Sequence, residues 1–383
     1  MKKKSVRKDV GVEAIALHKK LRGKIEIRSK GKVTKDTLKL FYTPGVGAVA
    51  LEAAKGDKQT NMLTYRGNTV AIVSDGSAVL GLGNIGPLGA LPVMEGKAML
   101  FKELSGIDAI PIVLSTQDTE EIIATVKSIA PSFSGINLED ISAPRCFEIE
   151  DRLKKLLNIP VMHDDQHGTA MVLLAGLINA LKVVKKKPKD CAIVVSGAGA
   201  AGQAIVSLLL KYGVGDIVVL DSKGIIHADR PDLDEHKKAL AQVTNELRLA
   251  GGLAEAMAGA DVFIGVSKGN TVTAEMVSTM ASKPIVFALA NPIPEILPED
   301  ALSGGAAVVG TGRSDFDNQL NNALGFPGIF RGALDHGVRE ITEDMLFAGA
   351  KALAKLVEKP TARMIISSAF DHRVAKAVAK VIK

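Results

Sequence analysis

The chain has 383 residues, of which 47% are apolar and 23% charged; the formal net charge is +6, aromatics make up 4%, and tryptophan is absent. That balance excludes a disordered chain and gives enough length for two domains with cores of their own. The scarcity of aromatic rings excludes a stacking platform for single-stranded nucleic acid.

Much of the positive charge sits in two runs, Lys2 to Lys4 and Lys182 to Lys189. Neither is interleaved with aromatic residues, so both read as solvated faces and no nucleic-acid partner is expected. Cys146 and Cys191 form no CxxC pair and cannot build a disulfide framework. The basic N-terminus runs into VRKDVGVEA without a signal-type apolar core. No apolar run approaches the roughly 18 residues of a membrane span. A cytoplasmic protein with no membrane partner is the expectation.

Residues 11–21 carry a helical apolar spacing, 24–27 alternate, and 34–40 suit another helical turn. FYTPGVG follows. Thr43 before a proline is extended, and Pro44-Gly45 can open a helix over 46–54, which fixes Tyr42 at a loop-to-helix junction. A phenol there is catalytic or simply packed. Residues 68–74 read as a strand turned by Asp75-Gly76. GLGNIG, Gly81 to Gly86, matches GxGxxG but lacks an acid closing a following strand. It reads as a backbone-exposing turn before a helix over 88–104. Lys97 lies in the apolar part of that helix, either snorkelling to the surface or held for chemistry.

A strand over 108–114, a helix over 119–129 and a strand over 134–138 form a βαβ unit, so the first half should hold a parallel sheet. Glu139-Asp140 ends that strand. A helix over 143–157 and a short strand over 159–162 lead to His163, Asp164 and Asp165, and then to a helix over 169–184. Two successive strands thus end in acid pairs, and carboxyl ends of neighbouring parallel strands share one crevice. Four carboxylates there repel without a cation. All-oxygen ligands favour Mg²⁺ or Mn²⁺ over zinc. The alternative is a structural cluster with an N-capping aspartate.

CAIVVS, residues 191–196, is a buried strand running into GAGAAG. Its residues are Gly197, Ala198, Gly199, Ala200, Ala201 and Gly202. A helix over 203–211 and a strand over 216–220 follow, and the strand closes with Asp221. Strand, glycine turn, helix, strand and acid stand in the order of a dinucleotide site, with phosphates at the helix N-terminus. Asp221 suits a free ribose 2′-hydroxyl and hence NAD; Lys223 leaves NADP open. Apolar strands over 261–267, 284–290 and 306–312 continue the pattern, with Asn291 after the second and Asn318, Asn321 and Asn322 beyond the third. Such asparagines bond a carboxamide or carboxylate, or are turn residues. Two helices, 342–358 and 361–382, close the chain. The expected fold class is α/β: an N-terminal α/β substrate and metal domain over 1–162, and a Rossmann-type doubly wound parallel sheet over 163–383.

The motifs YTPGVG, SDGSAVLGLGNIGPLGALPVMEGKAMLF, INLEDISAPRCFEIE, IPVMHDDQHGTA, VSGAGAAG, ANPIPEI, GTGRSDFDNQLNN and FPGIFRGAL occur in this order. Together they resemble the compact microbial malic enzymes over nearly the whole chain, stopping short of an acyltransferase-like extension that some relatives carry. The resemblance implies oxidative decarboxylation of L-malate to pyruvate and CO₂ with NAD(P)⁺, dependent on Mg²⁺ or Mn²⁺, in an oligomer, and a homodimer is the expectation. It implies Tyr42 as general acid, Lys97 as general base, and Glu139, Asp140 and Asp165 as metal ligands. Asp164 would stand behind those ligands near the lysine, and Asn291, Asn321 and Asn322 would contact nicotinamide and malate. One departure stands out. Larger members carry an arginine shortly before GLG that grips malate, whereas this chain reads SAVLGLG.

The chemistry needs a base for the hydroxyl proton, an acid for the carbon left after decarboxylation, and polarisation of the developing ketone. A lysine reference pKa of about 10.4 is high for a base, and a nearby cation with partial burial should lower it. A non-decarboxylating metal-dependent hydroxy-acid dehydrogenase is the nearest rival. A catalytically idle NAD-sensing scaffold would instead carry lesions among Tyr42, Lys97, Glu139, Asp140 and Asp165.

Overall fold

The structure, a computed structural model, describes residues 10–383, so the Lys2 to Lys4 run lies outside the described residues. Two sheets follow one another along the chain. The first has four parallel strands, β1 (Thr69–Ser74), β2 (Asp108–Val113), β3 (Gly135–Leu138) and β4 (Val161–His163), in the order β2-β1-β3-β4. The second has six: β5 (Ile193–Ser196), β6 (Ile217–Asp221), β7 (Gly224–Ile225), β8 (Val262–Gly265), β9 (Ile285–Ala288) and β10 (Val308–Thr311). Their order is β10-β9-β8-β5-β6-β7, with only the β6–β7 pair antiparallel. The central strands are short apolar runs because helices cover both faces; all six residues of β1 are buried. The chain leaves β5 for β6 on one side and returns to β8 on the other. That reversal opens a crevice at the carboxyl ends of β5 and β8.

Register decides what meets at the other crevice. Val73 pairs with Leu138 and Leu138 with His163, so Glu139 and Asp164 leave adjacent strands at the same level. The helix Gly86–Ser105 covers this sheet. Pro87 stands in its first turn, where a missing N–H costs nothing, and Gly106 caps its end at φ +70°. Its buried stripe includes Met94, Lys97, Ala98 and Phe101.

The helix after β4 differs from expectation. It runs over Asp164–Val184, so Asp164 and Asp165 form its first turn instead of an irregular strand end. Two causes are visible. Carboxylates are favoured near the positive end of a helix. In addition, buried Glu150 accepts from the His163 N–H at 3.1 Å, Gln166 Nε2 at 3.1 Å and His167 Nε2 at 3.0 Å, which pins the strand-to-helix turn. By length and composition this helix could cross a membrane, contrary to the reading that no such run exists, but 72% of its apolar window is buried inside the fold.

Other departures follow tertiary bonding. Residues 24–27 are irregular, and the closing helix covers only Arg373–Ala379. The preceding stretch spends its backbone groups on asparagines. Asn179 Nδ2 donates to the Ile365 carbonyl at 2.9 Å, Asn318 Nδ2 donates to that of Ala362 at 2.8 Å, and Asn318 Oδ1 accepts from the Ile365 N–H at 2.9 Å. The helices Asp57–Leu63 and Phe326–His336 were not anticipated. The second matters, because its Phe326 packs on Phe101 of the first half with ring centroids 4.6 Å apart. One core cluster joins Val70, Ile72, Met94 and Phe101 to the helix Asp164–Val184 and to Phe326 and Phe330.

Candidate active site

Glu139 and Asp140 leave β3, and Asp165 leaves the first turn of the helix beside it. Each offers a carboxylate oxygen, and the three oxygens lie within 4.8 Å of one another. Asp140 adopts φ +55°, a conformation costly for a side-chain-bearing residue. It is held there by its N–H donating to Asp165 Oδ2 at 2.8 Å and by its carbonyl accepting from the Ala78 N–H at 2.9 Å. Burial, then the neighbouring Asp165, pushes the Asp140 carboxyl up to about 8. Burial likewise raises Glu139, against the pull of Lys97. Asp140 Oδ2 is buried without a hydrogen-bond partner. A crowded all-oxygen set with an unpartnered buried oxygen fits a hard divalent cation such as Mg²⁺ or Mn²⁺.

Lys97 is buried and points into this cluster. Its ammonium pairs with Glu139 Oε1 at 2.5 Å and with Asp164 Oδ2, and lies 4.4 Å from the Phe326 ring centroid. Asp164 is fully buried; burial raises its carboxyl, against Lys97, to about 6. For Lys97, burial pulls downward, but Asp164, Glu139 and Asp165 outweigh it and the pKa stands above the ordinary value. His163 is buried with neither ring nitrogen hydrogen-bonded, and burial lowers its pKa against the pull of Asp165, whose Oδ2 lies 3.6 Å from Nε2.

A cavity of about 750 Å³ opens over the cluster. Asn291, after β9, lines it, as do Asn321 and Asn322. Asn321 is held by its Nδ2 donating to the Gly312 carbonyl at 3.3 Å and its Oδ1 accepting from the Ala323 N–H at 2.9 Å. The GLG turn has its own explanation here: a Cβ on Gly81 would stand 1.9 Å from the Asn291 carbonyl oxygen. Only glycine lets the two halves approach so closely. Arg145 does not replace the missing arginine, because it pairs with Asp75 at 2.9 Å and bonds Ser77, Ser142 and the Gln117 carbonyl.

A second cavity, about 850 Å³, lies along the carboxyl ends of β5 and β6. Gly197 turns at φ +125°, where a Cβ would meet the Val266 carbonyl oxygen at 2.7 Å. A Cβ on Gly202 would meet the Gly197 carbonyl oxygen at 1.8 Å. Gly199 has open space around it and caps the helix Ala200–Tyr212, leaving its N–H groups for phosphate. Ala198 lines this cavity, whereas Ala200 and Ala201 line the acidic one, and Gly199 lines both. The glycine turn is therefore the seam between them. Asp221 closes β6 at the far end, where Arg230 and Lys237 bind its carboxylate.

Tyr42 is not brought to this site. It is 67% exposed and lines neither cavity. Glu150 and Phe326 were missed by sequence reasoning. Both sit inside quoted motifs, and only tertiary contact reveals what they touch.

A dinucleotide crevice continuous with a buried lysine and an acid cluster defines an NAD(P)-linked oxidoreductase. Residues 22–154 match the family described as malic enzyme, N-terminal domain, and residues 166–381 match malic enzyme, NAD binding domain. The bifunctional malic/malolactic enzyme of Bacillus subtilis is 54% identical over 97% of this chain and 91% of its own. The NADP-dependent malic enzyme of Escherichia coli is 47% identical over 91% of this chain but 46% of its own length. The crystal structure of an NAD-dependent malic enzyme from Thermotoga maritima superposes with a TM-score of 0.93 at 51% identity, covering 97% of this chain and 98% of that one. The chain belongs to the malic enzyme family.

Proposed function

We propose that this chain oxidises L-malate with NAD(P)⁺ and releases pyruvate and CO₂, with Mg²⁺ or Mn²⁺ held by Glu139, Asp140 and Asp165. The observation that carries this is Lys97, buried between Asp164 and Glu139 beside the three-carboxylate cluster and next to the glycine turn. The cation, when bound, supplies positive charge for the 2-hydroxyl oxygen and for the enolate that follows. Glu139, Asp140 and Asp165 would hold the cation, and with their charge so engaged the Lys97 amine would be free to act as a base.

Lys97 then accepts the hydroxyl proton as hydride passes from C2 to the nicotinamide, and Asp164 holds the resulting ammonium. Loss of the C4 carboxylate as CO₂ leaves the enolate of pyruvate, which Tyr42 protonates at C3. Asn291, Asn321 and Asn322 orient the nicotinamide and the substrate.

The working unit is a homodimer, and Tyr42 acts within it. In support, the helices Val10–Leu21, Lys35–Phe41, Val46–Ala53 and Asp57–Leu63 contain no buried residue, while Ile27, Leu40, Phe41 and Leu51 are 60% exposed or more. A second copy covering this apolar arm removes that cost. The division of labour is a substrate and metal domain over 1–162 and a dinucleotide domain over 163–383. NAD is the preferred cofactor through Asp221, and the location is cytoplasmic, in keeping with two free buried cysteines.

The test is NAD⁺ and NADP⁺ reduction with L-malate, with and without Mn²⁺, followed by product analysis. Pyruvate and CO₂ support the reading. Oxaloacetate alone would favour a non-decarboxylating dehydrogenase.

A further inference from the structure

We propose that Lys24 is the cation that grips the substrate carboxylate lying away from the acid cluster, and that Glu95 is its positioning residue. The proposal rests on the malate reading and answers what replaces the arginine missing before GLG. That stretch gives the cavity wall only Ala78 and Leu80, neither able to hold an anion. Among the described residues the cavity is lined by two lysines and no arginine. Lys97 is committed to Glu139 and Asp164. Lys24 is the other. Its ammonium donates to the Pro92 carbonyl at 2.5 Å and forms no ion pair with another described residue. One acceptor for three N–H donors leaves two for a ligand.

Its placement is built. The Lys24 N–H donates to Glu95 Oε2 at 3.2 Å across 71 residues of sequence. Gly23 turns at φ +107°, and a Cβ there would lie 3.1 Å from Glu95 Oε1, so the chain crosses tightly over that carboxylate. A Cβ on Gly96 would lie 3.5 Å from Lys24 Nζ, and any longer side chain would occupy the ammonium's approach. All three residues of the EGK motif thereby gain a use: Glu95 seats Lys24, Gly96 leaves room for it, and Lys97 faces the acids. Pro92 and Lys97 are five residues apart on one helix, an axial step of about 7 Å. That is the scale of a four-carbon dicarboxylate with one end on the acid cluster and the other on Lys24.

The distal carboxylate leaves as neutral CO₂, so a cation paired with it contributes to substrate binding and not to the chemical step. Its loss should appear in KM and leave kcat in place. The experiment uses the full chain with Mn²⁺ and compares Lys24→Met, Lys24→Arg and Glu95→Ala with the unaltered protein. Readouts are KM and kcat for L-malate, inhibition constants for oxaloacetate and pyruvate, and dissociation constants for NAD⁺ and Mn²⁺. Lys24→Met should raise KM for malate and the oxaloacetate constant roughly 10–100-fold, the range for losing a charged hydrogen bond. Pyruvate, which lacks the distal carboxylate, should inhibit within twofold of the unaltered protein, as should kcat and NAD⁺ and Mn²⁺ binding hold. Lys24→Arg should recover most of the affinity, and Glu95→Ala should weaken dicarboxylates by a smaller factor. An unchanged KM in Lys24→Met, or equal losses for oxaloacetate and pyruvate, overturns the proposal while leaving the malate reading intact. No turnover of malate by the unaltered protein overturns that reading, and this proposal with it.

Discussion

Arg230 holds Asp221 by both carboxylate oxygens, Nη1 to Oδ1 at 2.9 Å and Nη2 to Oδ2 at 2.8 Å. Lys237 adds a third bond at 2.9 Å. The Lys223 N–H adds a fourth, to Oδ1 at 2.9 Å, so the acid at the end of β6 is a charge already balanced by cations and bonded at all of its roughly four lone-pair sites. Unaltered protein should favour NAD, since a 2′-phosphate would have to compete with Asp221 for Arg230 and Lys237. Asp221→Asn releases those cations and should shift the ratio of kcat/KM values toward NADP at least tenfold. A ratio that moves less, or an unaltered enzyme tenfold better with NADP, refutes the assignment.

The same pair predicts an acid response. Burial works against the Asp221 carboxylate, but Arg230 and Lys237 hold its pKa down at about 2. An unfolded aspartate titrates near 3.9. The stabilisation is present above that value and is lost as pH falls toward 2. Unfolding midpoints of the unaltered protein and Asp221→Asn should converge between pH 4 and 2. A constant gap across that range contradicts it.

Asp140→Asn should remove metal-dependent turnover and leave NAD⁺ affinity in place. The reading that does not involve catalysis is thermal: at a hundredfold excess over Kd, a cation binding only the folded state adds about 2.7 kcal/mol. Unaltered protein should show a Mn²⁺-dependent rise in Tm, and Asp140→Asn should show little. Without metal the variant should be no less stable, because it relieves carboxylates that burial and Asp165 already oppose. Near-normal rates in EDTA would end the metal assignment.

Lys97 and Tyr42 should separate in a partial reaction. Oxaloacetate reduction by NADH needs a proton returned to the C2 oxygen but none at C3. Lys97→Ala should lose it by on the order of 10²–10⁴-fold. Tyr42→Phe should keep much of it while slowing pyruvate formation. Equal losses, with folding and metal affinity unchanged, contradict these roles.

Sedimentation at micromolar concentration should show a dimer, and Leu51→Asp, on a side chain 75% exposed in the single chain, should weaken it. A monomeric unaltered protein refutes the assembly.

Periodicity and turn chemistry made β1 to β6, the glycine turn and the paired acids legible, because short apolar strands bounded by glycine and acid leave few alternatives. Function at Lys97 was not legible from its helix alone. A lysine on an apolar stripe is the same letter whether it snorkels or, as here, ends between Asp164 and Glu139. The start of the helix at Asp164 was missed because Glu150, which pins it, lies fourteen positions earlier by sequence and beside it only in the fold. Tyr42 was placed at a junction correctly, helix Val46–Ala53 following Gly45, yet its exposure shows that a junction does not say which cavity a side chain serves.

The acid cluster draws its members from two elements that one half of the molecule holds together. Glu139 and Asp140 follow β3, and Asp165 stands in the turn directly after β4, which Glu150 of the same half bonds at His163, Gln166 and His167. Asn291 and the glycine turn, which face the cluster across the cavity, belong to the second sheet. Relative motion of the two sheets would therefore leave the three carboxylates together: they are the floor of the crevice, and its other wall is the part free to shift.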